Sequence, residues 1–372
     1  MRIIFAGGGT AGHINPAIAI ANKIKENIPD AEIAFIGTKR GMENNLVGKA
    51  GYPIHHIEIQ GLNSLFSLST IKTAYYFATS PGKAKKLIKD FKPDIVVGTG
   101  GYLSWPLLKA AYALGVPCAV HESNAIPGRA VKMVQKMVDR IYINFPTTSE
   151  YFDASSQEKI LCVGNPLITA PDTAKKDGLR EKLGIPPSAK KIILSFGGSL
   201  GAQRVNEEIL ALMRDHIAKD PEIFHIHATG RIEYQDAMAK AEEYGLLNCP
   251  NIRLLEYIYD MPLWEKVADV VICRAGAMTL AEMSLLGKAC IVIPSPNVAH
   301  NHQYENAKRL ADAGAALMIE EKEISTELLS ENLFRILHDG AFAASLRQSI
   351  LGFAHPDAAD EILKDLQSLC QK

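Results

Sequence analysis

The stretch RIIFAGGGTAGHINP, Arg2 to Pro16, decides how the rest of the chain is read. A short apolar strand, Ile3 to Ala6, runs into Gly7, Gly8 and Gly9. Thr10, Ala11, Gly12 and His13 follow, and then an apolar-periodic helix from Pro16 to Ile24. Strand, glycine turn and helix in that order set backbone N–H groups and a helix N-terminus at the carboxyl end of a strand. Gly7, Gly9 and Gly12 also satisfy Gly-x-Gly-x-x-Gly, which alone is a weak sign of a dinucleotide. No acidic residue closes a clear second strand about 20 residues on, where a ribose-binding carboxylate belongs. IAFIG at 33–37 leads instead into Thr38 and Lys39, so a nicotinamide site is disfavoured. What this turn presents in addition to its N–H groups is a histidine.

Outward from this unit, strands and helices alternate. Ile33–Ile36, Ile95–Val97, Cys118–Val120 and Arg140–Ile143 read as short β-rich runs, with helical patterns such as Leu107–Leu114 and Ala130–Met137 between them. Alternation of this kind argues a parallel sheet covered by helices on both faces. Pro166, Pro171, Pro186 and Pro187 mark a boundary within residues 164–190, and then the pattern starts again. Ile192–Phe196 is a strand, followed by Gly197, Gly198, Ser199, Leu200 and Gly201 and a helix from Ala202. Phe224–Ala228, Ile252–Leu255, Val270–Cys273 and Cys290–Pro294 are further strand candidates. The reading is two doubly wound parallel-sheet domains facing across a cleft, over residues 1–163 and 164–343.

A chain of 372 residues suits two domains of ordinary size, and its 47% apolar and 22% charged residues are those of a soluble globular protein. The six cysteines are scattered without a C-x-x-C pair, which argues reduced thiols in a cytosolic protein and against zinc. No run reaches the roughly 18 apolar residues of a membrane span, and the N-terminus opens directly on a strand, so no signal peptide is expected. The net charge of −1 hides an asymmetry: residues 1–163 carry 18 Lys and Arg against 12 Asp and Glu, and the remainder carries 22 against 29. A net-positive first half suits an anionic surface or substrate. No aromatic-interleaved basic tract accompanies it, so nucleic acid is not expected as a partner.

Polar residues gather at the carboxyl ends of strands in both halves. His121 and Glu122 follow one strand, with Ser123 and Asn124 in the next turn, and Gly98-Thr-Gly-Gly-Tyr102 ends the strand before it. In the second half, the turn around Ser199 and the segment Arg274-Ala-Gly-Ala-Met-Thr-Leu-Ala-Glu282 both offer N–H groups suited to a diphosphate. Glu282 falls within about two turns of its helix start, in reach of a ribose or simply solvated, and Arg274 reads equally as a structural cation. His302, Gln303 and Asn306 lie at helix-start spacing after Pro294-Ser-Pro-Asn.

Taken together, GGGTAGHINPAIA, GTGGY, HESNAIPG, GNP at 164–166, FGGSLGAQ, RAGAMTLAE and HQYENA, in order from residue 7 to 307, resemble the MurG family of peptidoglycan N-acetylglucosaminyltransferases. The resemblance implies the GT-B fold, with a last helix, about 344–372, packing back on the N-terminal domain. It implies inverting transfer of GlcNAc from UDP-GlcNAc to the 4-hydroxyl of MurNAc in lipid I, giving lipid II. By the same resemblance His13 is the general base, and Thr10, Ala11 and Gly12 line the donor site. Asn124 touches the donor sugar, Ser199 the diphosphate and Ile258 the uracil. Ala277, Met278, Thr279, Leu280, Ala281 and Glu282, with Glu282 on the ribose, and Gln303 complete the donor pocket, while Tyr102 and Glu122 lie on the acceptor side. The chain departs from the family pattern at Ala11, where glycine is common, at Ile168, where many members have arginine, and at Val131, where asparagine is often found. No Asp-x-Asp occurs, so no metal or other cofactor is expected.

One segment interrupts the alternation. Leu65, Phe66, Leu68, Ile71, Tyr75, Tyr76 and Phe77 precede Lys83, Lys85, Lys86, Lys89 and Lys92, and Lys72 adds a sixth lysine. It reads either as a buried helix followed by a solvated lysine-rich one, or as an apolar patch with a basic rim for an anionic membrane surface. The second reading fits a peripheral enzyme on the cytoplasmic side of the cell membrane, reaching a lipid-anchored acceptor. The competing functions are a GT-B enzyme with a different lipid acceptor, an epimerase of the same fold, and a nucleotide-sugar-binding module without turnover.

Overall fold

A computed structural model describes residues 1–59, 68–168 and 176–371, with side chains for all of these except 68–74, 176 and 177. The chain divides into two compact units, Met1–Thr169 with His355–Lys372, and Ala170–Ala354.

The first unit holds a seven-stranded sheet of order β3-β2-β1-β4-β5-β6-β7. Its strands are β1 (Arg2–Ala6), β2 (Glu32–Gly37), β3 (Ile54–His56), β4 (Ile95–Gly98), β5 (Cys118–Glu122), β6 (Arg140–Ile143) and β7 (Ile160–Cys162). Every pairing is parallel. Ile3, Ile4, Phe5 and Ala6 are all fully buried, as a strand covered on both faces requires. The second unit repeats the plan with β8 (Lys191–Phe196), β9 (Ile223–Ala228), β10 (Ile252–Leu255), β11 (Val270–Cys273), β12 (Ala289–Val292) and β13 (Leu317–Met318), in the order β10-β9-β8-β11-β12-β13, again all parallel. In each sheet the order reverses at the first strand. The switch point therefore lies between β1 and β4 in one unit and between β8 and β11 in the other.

Three boundaries differ from the sequence reading. The division falls at 169/170 rather than at 163/164. The expected C-terminal helix is two helices. Gly340–Leu351, capped by the Asp339 carboxylate accepting from Phe342 N–H, packs its Leu346 and Ile350 within the second unit. Only Ala358–Cys370 belongs to the first. There Ile362, Leu363, Leu366 and Leu369 join the core under β1 and the helix Ala11–Asn27. Asp365 fixes it, accepting from Arg140 Nε at 2.9 Å and Tyr142 Oη at 2.8 Å. Finally, the helix after β1 starts at Ala11, not Pro16, so His13 stands in its first turn and Pro16 in the second.

The aromatic and lysine-rich segment is a single helix, Leu68–Phe91, packed on the helix Ser104–Leu114. Ser80, Ala84 and Ile88 form its buried face. Tyr75 is exposed, and Phe77 stacks on Trp105 with ring centres 3.7 Å apart. Leu65 and Phe66 lie outside the described residues, as do the side chains of Leu68, Ile71 and Lys72. Among the described residues no helix is long and apolar enough to cross a membrane.

Candidate active site

At the first switch point the turns after β1 and β4 meet around one imidazole. His13 Nδ1 lies 3.1 Å from the Gly8 carbonyl and 3.2 Å from Thr10 Oγ1. A carbonyl only accepts, so Nδ1 carries a proton, and in the neutral form of the ring the lone pair is on Nε2. The Thr99 hydroxyl donates to the His13 carbonyl at 2.6 Å and ties the β4 turn to the helix. Gly100 and Gly101, at φ +98° and +75°, then pass directly over the ring: a Cβ on Gly100 would lie 2.6 Å from His13 Cδ2. No other residue takes both that backbone conformation and that approach without strain. The histidine is held in one orientation and one tautomer by two glycine turns.

Tyr102 follows these glycines and lays its ring against Gly9. Burial, together with the Glu43 carboxylate, raises its phenol above the ordinary range, opposed by a hydrogen bond with the Thr38 side chain. Glu43 is fully buried and accepts from Thr38 N–H at 2.8 Å and Thr38 Oγ1 at 2.9 Å. Glu43 has no reading in the sequence, and Thr38 enters it only as an argument against a nicotinamide site, although it directly follows β2 and so sits where ligand-facing residues gather. Thr10 and Ala11 are exposed at the helix start and Gly12 is half-buried.

The loop after β5 is built around Glu122. Its Oε1 accepts from Asn124 N–H at 2.9 Å and Asn124 Nδ2 at 3.0 Å, and its Oε2 from Gly128 N–H at 2.8 Å. The residue is 4% exposed, and burial raises its carboxyl against the pull of those hydrogen bonds. Glu122 thus shapes the loop that presents Asn124 instead of presenting an open carboxylate itself. His121, fully buried, donates from Nε2 to the Gly164 carbonyl at 3.0 Å, and burial pushes its pKa down to about 4. Val131 is buried in the sheet-covering layer and Ile168 is exposed.

In the second unit the turn after β8 leaves Ser199 exposed ahead of the helix Gln203–Asp215. The turn after β11 enters the helix Ala277–Leu285 at Gly276, so the first-turn N–H groups of Ala277, Met278 and Thr279 lie at the carboxyl end of β11. Leu280, 2% exposed, faces the core, whereas Met278, Thr279 and Ala281 are half-buried. Burial and the neighbouring Glu265 carboxylate hold the Glu282 carboxyl well above its ordinary range. Arg274 donates to the Ile293 and Pro294 carbonyls and pairs with Glu321, so it is a structural cation. Gln303 Oε1 accepts from Ser295 N–H at 2.9 Å, and Ser295 lines a cavity of about 520 Å³ together with Pro294, Asn301 and Tyr304. Ile258 is 2% exposed between the exposed Tyr257 and Tyr259 and so offers little surface to a base. Among the described residues no three His, Cys, Asp or Glu side chains gather as a metal site.

Each unit thus carries paired turns at its own switch point. One pair encloses a histidine and the other offers helix N-termini and a carboxylate. Over nearly the whole chain, the sequence is 39% identical to the UDP-N-acetylglucosamine–N-acetylmuramyl-(pentapeptide) pyrophosphoryl-undecaprenol N-acetylglucosamine transferase of Acetivibrio thermocellus, covering 98% of each, and 37% identical to that of Bacillus cytotoxicus, covering 100% of each. The chain belongs to this family. The family models for the N-terminal and C-terminal domains of glycosyltransferase family 28 match residues 3–143 and 192–362, one in each unit. Among solved structures, Acinetobacter baumannii MurG superposes with a TM-score of 0.74 at 28% identity, covering 99% of both chains, so the fold is GT-B. A Neisseria meningitidis UDP-GlcNAc 2-epimerase bound to UDP-GlcNAc shares that fold at 14% identity, with a TM-score of 0.72 over 99% of this chain and 100% of its own.

Proposed function

We propose that this chain transfers GlcNAc from UDP-GlcNAc, with inversion, to the 4-hydroxyl of MurNAc in undecaprenyl-pyrophosphoryl-MurNAc-pentapeptide, turning lipid I into lipid II. The observation that carries the reading is the His13 ring, locked with its proton on Nδ1 at the first switch point. Its Nε2 lone pair takes the proton of the attacking hydroxyl as that oxygen bonds to the anomeric carbon. The bond from the anomeric carbon to the UDP oxygen breaks, and UDP leaves with the electron pair. Developing charge on the diphosphate is stabilised by N–H groups and the Ser199 hydroxyl in the turn before Gln203–Asp215, and by the N-terminus of Ala277–Leu285. Glu282 accepts from the ribose hydroxyls, and Gln303 and Asn124 hold the sugar. Tyr102 lies on the acceptor side beside the histidine, with Glu122 acting there through its loop.

The same reading places the first unit at the cytoplasmic face of the membrane, docked through the helix Leu68–Phe91. Exposed Tyr75, Lys83, Lys86 and Lys89 and the net-positive first half support it. Each lysine near an anionic leaflet contributes about 1 kcal/mol. Salt-sensitive co-sedimentation with anionic but not neutral vesicles, lost in a Tyr75→Ser, Lys86→Glu, Lys89→Glu variant, is the expected result.

Release of UDP from UDP-GlcNAc, measured with and without a lipid I analogue, tests the function. Acceptor-dependent release with a disaccharide product supports transfer. UDP release without acceptor points to an epimerase-like or hydrolytic reaction, and UDP-GlcNAc binding without release points to a binding module.

A further inference from the structure

Beneath the turn after β8 lies a chain of four polar side chains inside an otherwise apolar core: Ser195, His225 and His227 on adjacent strands, and Asn206 on the helix Gln203–Asp215. All four are between 0 and 3% exposed. Hydrogen-bond distances link them in sequence. Asn206 Nδ2 donates to the Thr229 carbonyl at 2.8 Å, so its Oδ1 is the group that faces His227 Nε2 at 3.1 Å and accepts from it. His227 therefore carries its proton on Nε2, and burial keeps the ring neutral. Its Nδ1 lies 2.8 Å from Ser195 Oγ and 3.2 Å from the Ser195 carbonyl. Ser195 Oγ also lies 2.7 Å from His225 Nε2. His225 Nδ1, buried, has no hydrogen-bond partner among the described residues.

The chain touches every backbone segment that borders the turn. Ser195 sits two residues before Gly197, and Asn206 is in the first turn of the following helix, its N–H bonded to the Ala202 carbonyl. Thr229, where the chain ends, presses on Gly201: at φ +98°, a Cβ there would come within 2.4 Å of the Thr229 oxygen. Above that contact, Arg231 N–H donates to the Ser199 carbonyl and Ile232 N–H to the Leu200 carbonyl. Burying four polar side chains costs more than an aliphatic core would, but a connected chain of buried hydrogen bonds specifies one backbone arrangement.

We propose that Ser195, His227 and Asn206 are positioning residues for the donor's diphosphate, their buried hydrogen-bond chain setting the turn 197–201, and with it Ser199, against the Thr229–Gly230 backbone. The proposal rests on the reading of that turn as the diphosphate site. His225 lies beyond Ser195, outside the segment that reaches the turn.

The test is calorimetric titration of UDP into the wild-type chain and into Ser195→Ala, Asn206→Ala and His225→Phe, alongside steady-state constants for donor and acceptor. Losing one buried hydrogen bond of the segment should weaken UDP binding about tenfold. The donor KM should rise with it, the acceptor KM should stay unchanged, and His225→Phe should bind UDP as the wild type does. Wild-type UDP affinity in a folded Ser195→Ala or Asn206→Ala overturns the proposal. An equal loss in His225→Phe, or failure of both alanine variants to fold, also overturns it, since the chain then holds the domain and not the turn. A wild-type chain that binds no UDP refutes instead the diphosphate reading beneath it.

Discussion

At the first switch point a histidine ring is clasped between two glycine turns at the protein surface, whereas at the second the histidines lie below the turn and the turn itself is bare backbone and hydroxyl. Both points occupy the same place in the same strand order. The difference is in what reaches solvent. His13 is half-buried and keeps an edge toward the surface, while His227 is wholly enclosed. On the proposed function one topology carries two jobs: proton transfer where an imidazole is presented, and anion holding where N–H groups are presented over a rigid support.

The sharpest way to break this comparison is to remove His13. In His13→Ala, kcat for GlcNAc transfer should fall about 100- to 10,000-fold, the usual contribution of a general base. A variant retaining a tenth or more of wild-type turnover would sink the base assignment.

Protonation distinguishes the buried histidines next. His121 and His227 have pKa values pushed down to about 4 by burial, against about 6.5 in an unfolded chain. Between those values the unfolded state binds the proton and the folded state does not, so stability is complete above about pH 6.5 and declines as the pH falls toward 4. Each histidine should account for a loss of about 3 kcal/mol across that window. Denaturant unfolding followed from pH 7 to pH 4 should show a shallower decline in His227→Phe than in the wild type. Identical slopes would mean that His227 does not resist protonation in the fold.

The smallest effect sharpens the second switch point. Removing the Glu282 carboxyl from a ribose hydroxyl bonded to it costs roughly 1–3 kcal/mol. Glu282→Ala should raise the donor KM accordingly and leave the acceptor KM in place; equal rises in both would make Glu282 structural.

Much of this architecture could be read from residues 2–16 and 192–203, because a covered parallel strand feeding a glycine turn and a helix has few alternatives. The alternation gave both sheets, but not the short edge strands Ile54–His56, Ile160–Cys162 and Leu317–Met318, which are two or three residues long and carry no period. The sequence placed His13, Tyr102 and the helix bearing Glu282 at strand ends, where the structure has them. Glu122 reads as an acceptor-side residue at a strand end, and nothing local announces that Asn124 and Gly128 turn their N–H groups onto it. Thr38 and Glu43 bond each other five residues apart, but their place beside Tyr102 arises only once the turns after β2 and β4 are brought together. The buried chain did leave a trace: His225 and His227, two apart on a strand, must share a face. Its partners Ser195 and Asn206 become neighbours only through the β8–β9 register and the packing of the next helix.

Division of labour between the two switch points is the central claim, and one calorimetric series tests it directly: UDP titrated into wild type, His13→Ala and Glu282→Ala under the same conditions. The account predicts that His13→Ala binds UDP as tightly as the wild type despite its lost turnover, while Glu282→Ala binds about tenfold more weakly. Weakened UDP binding in His13→Ala to the extent seen in Glu282→Ala would contradict it, placing His13 in donor binding and leaving the first switch point without its separate role.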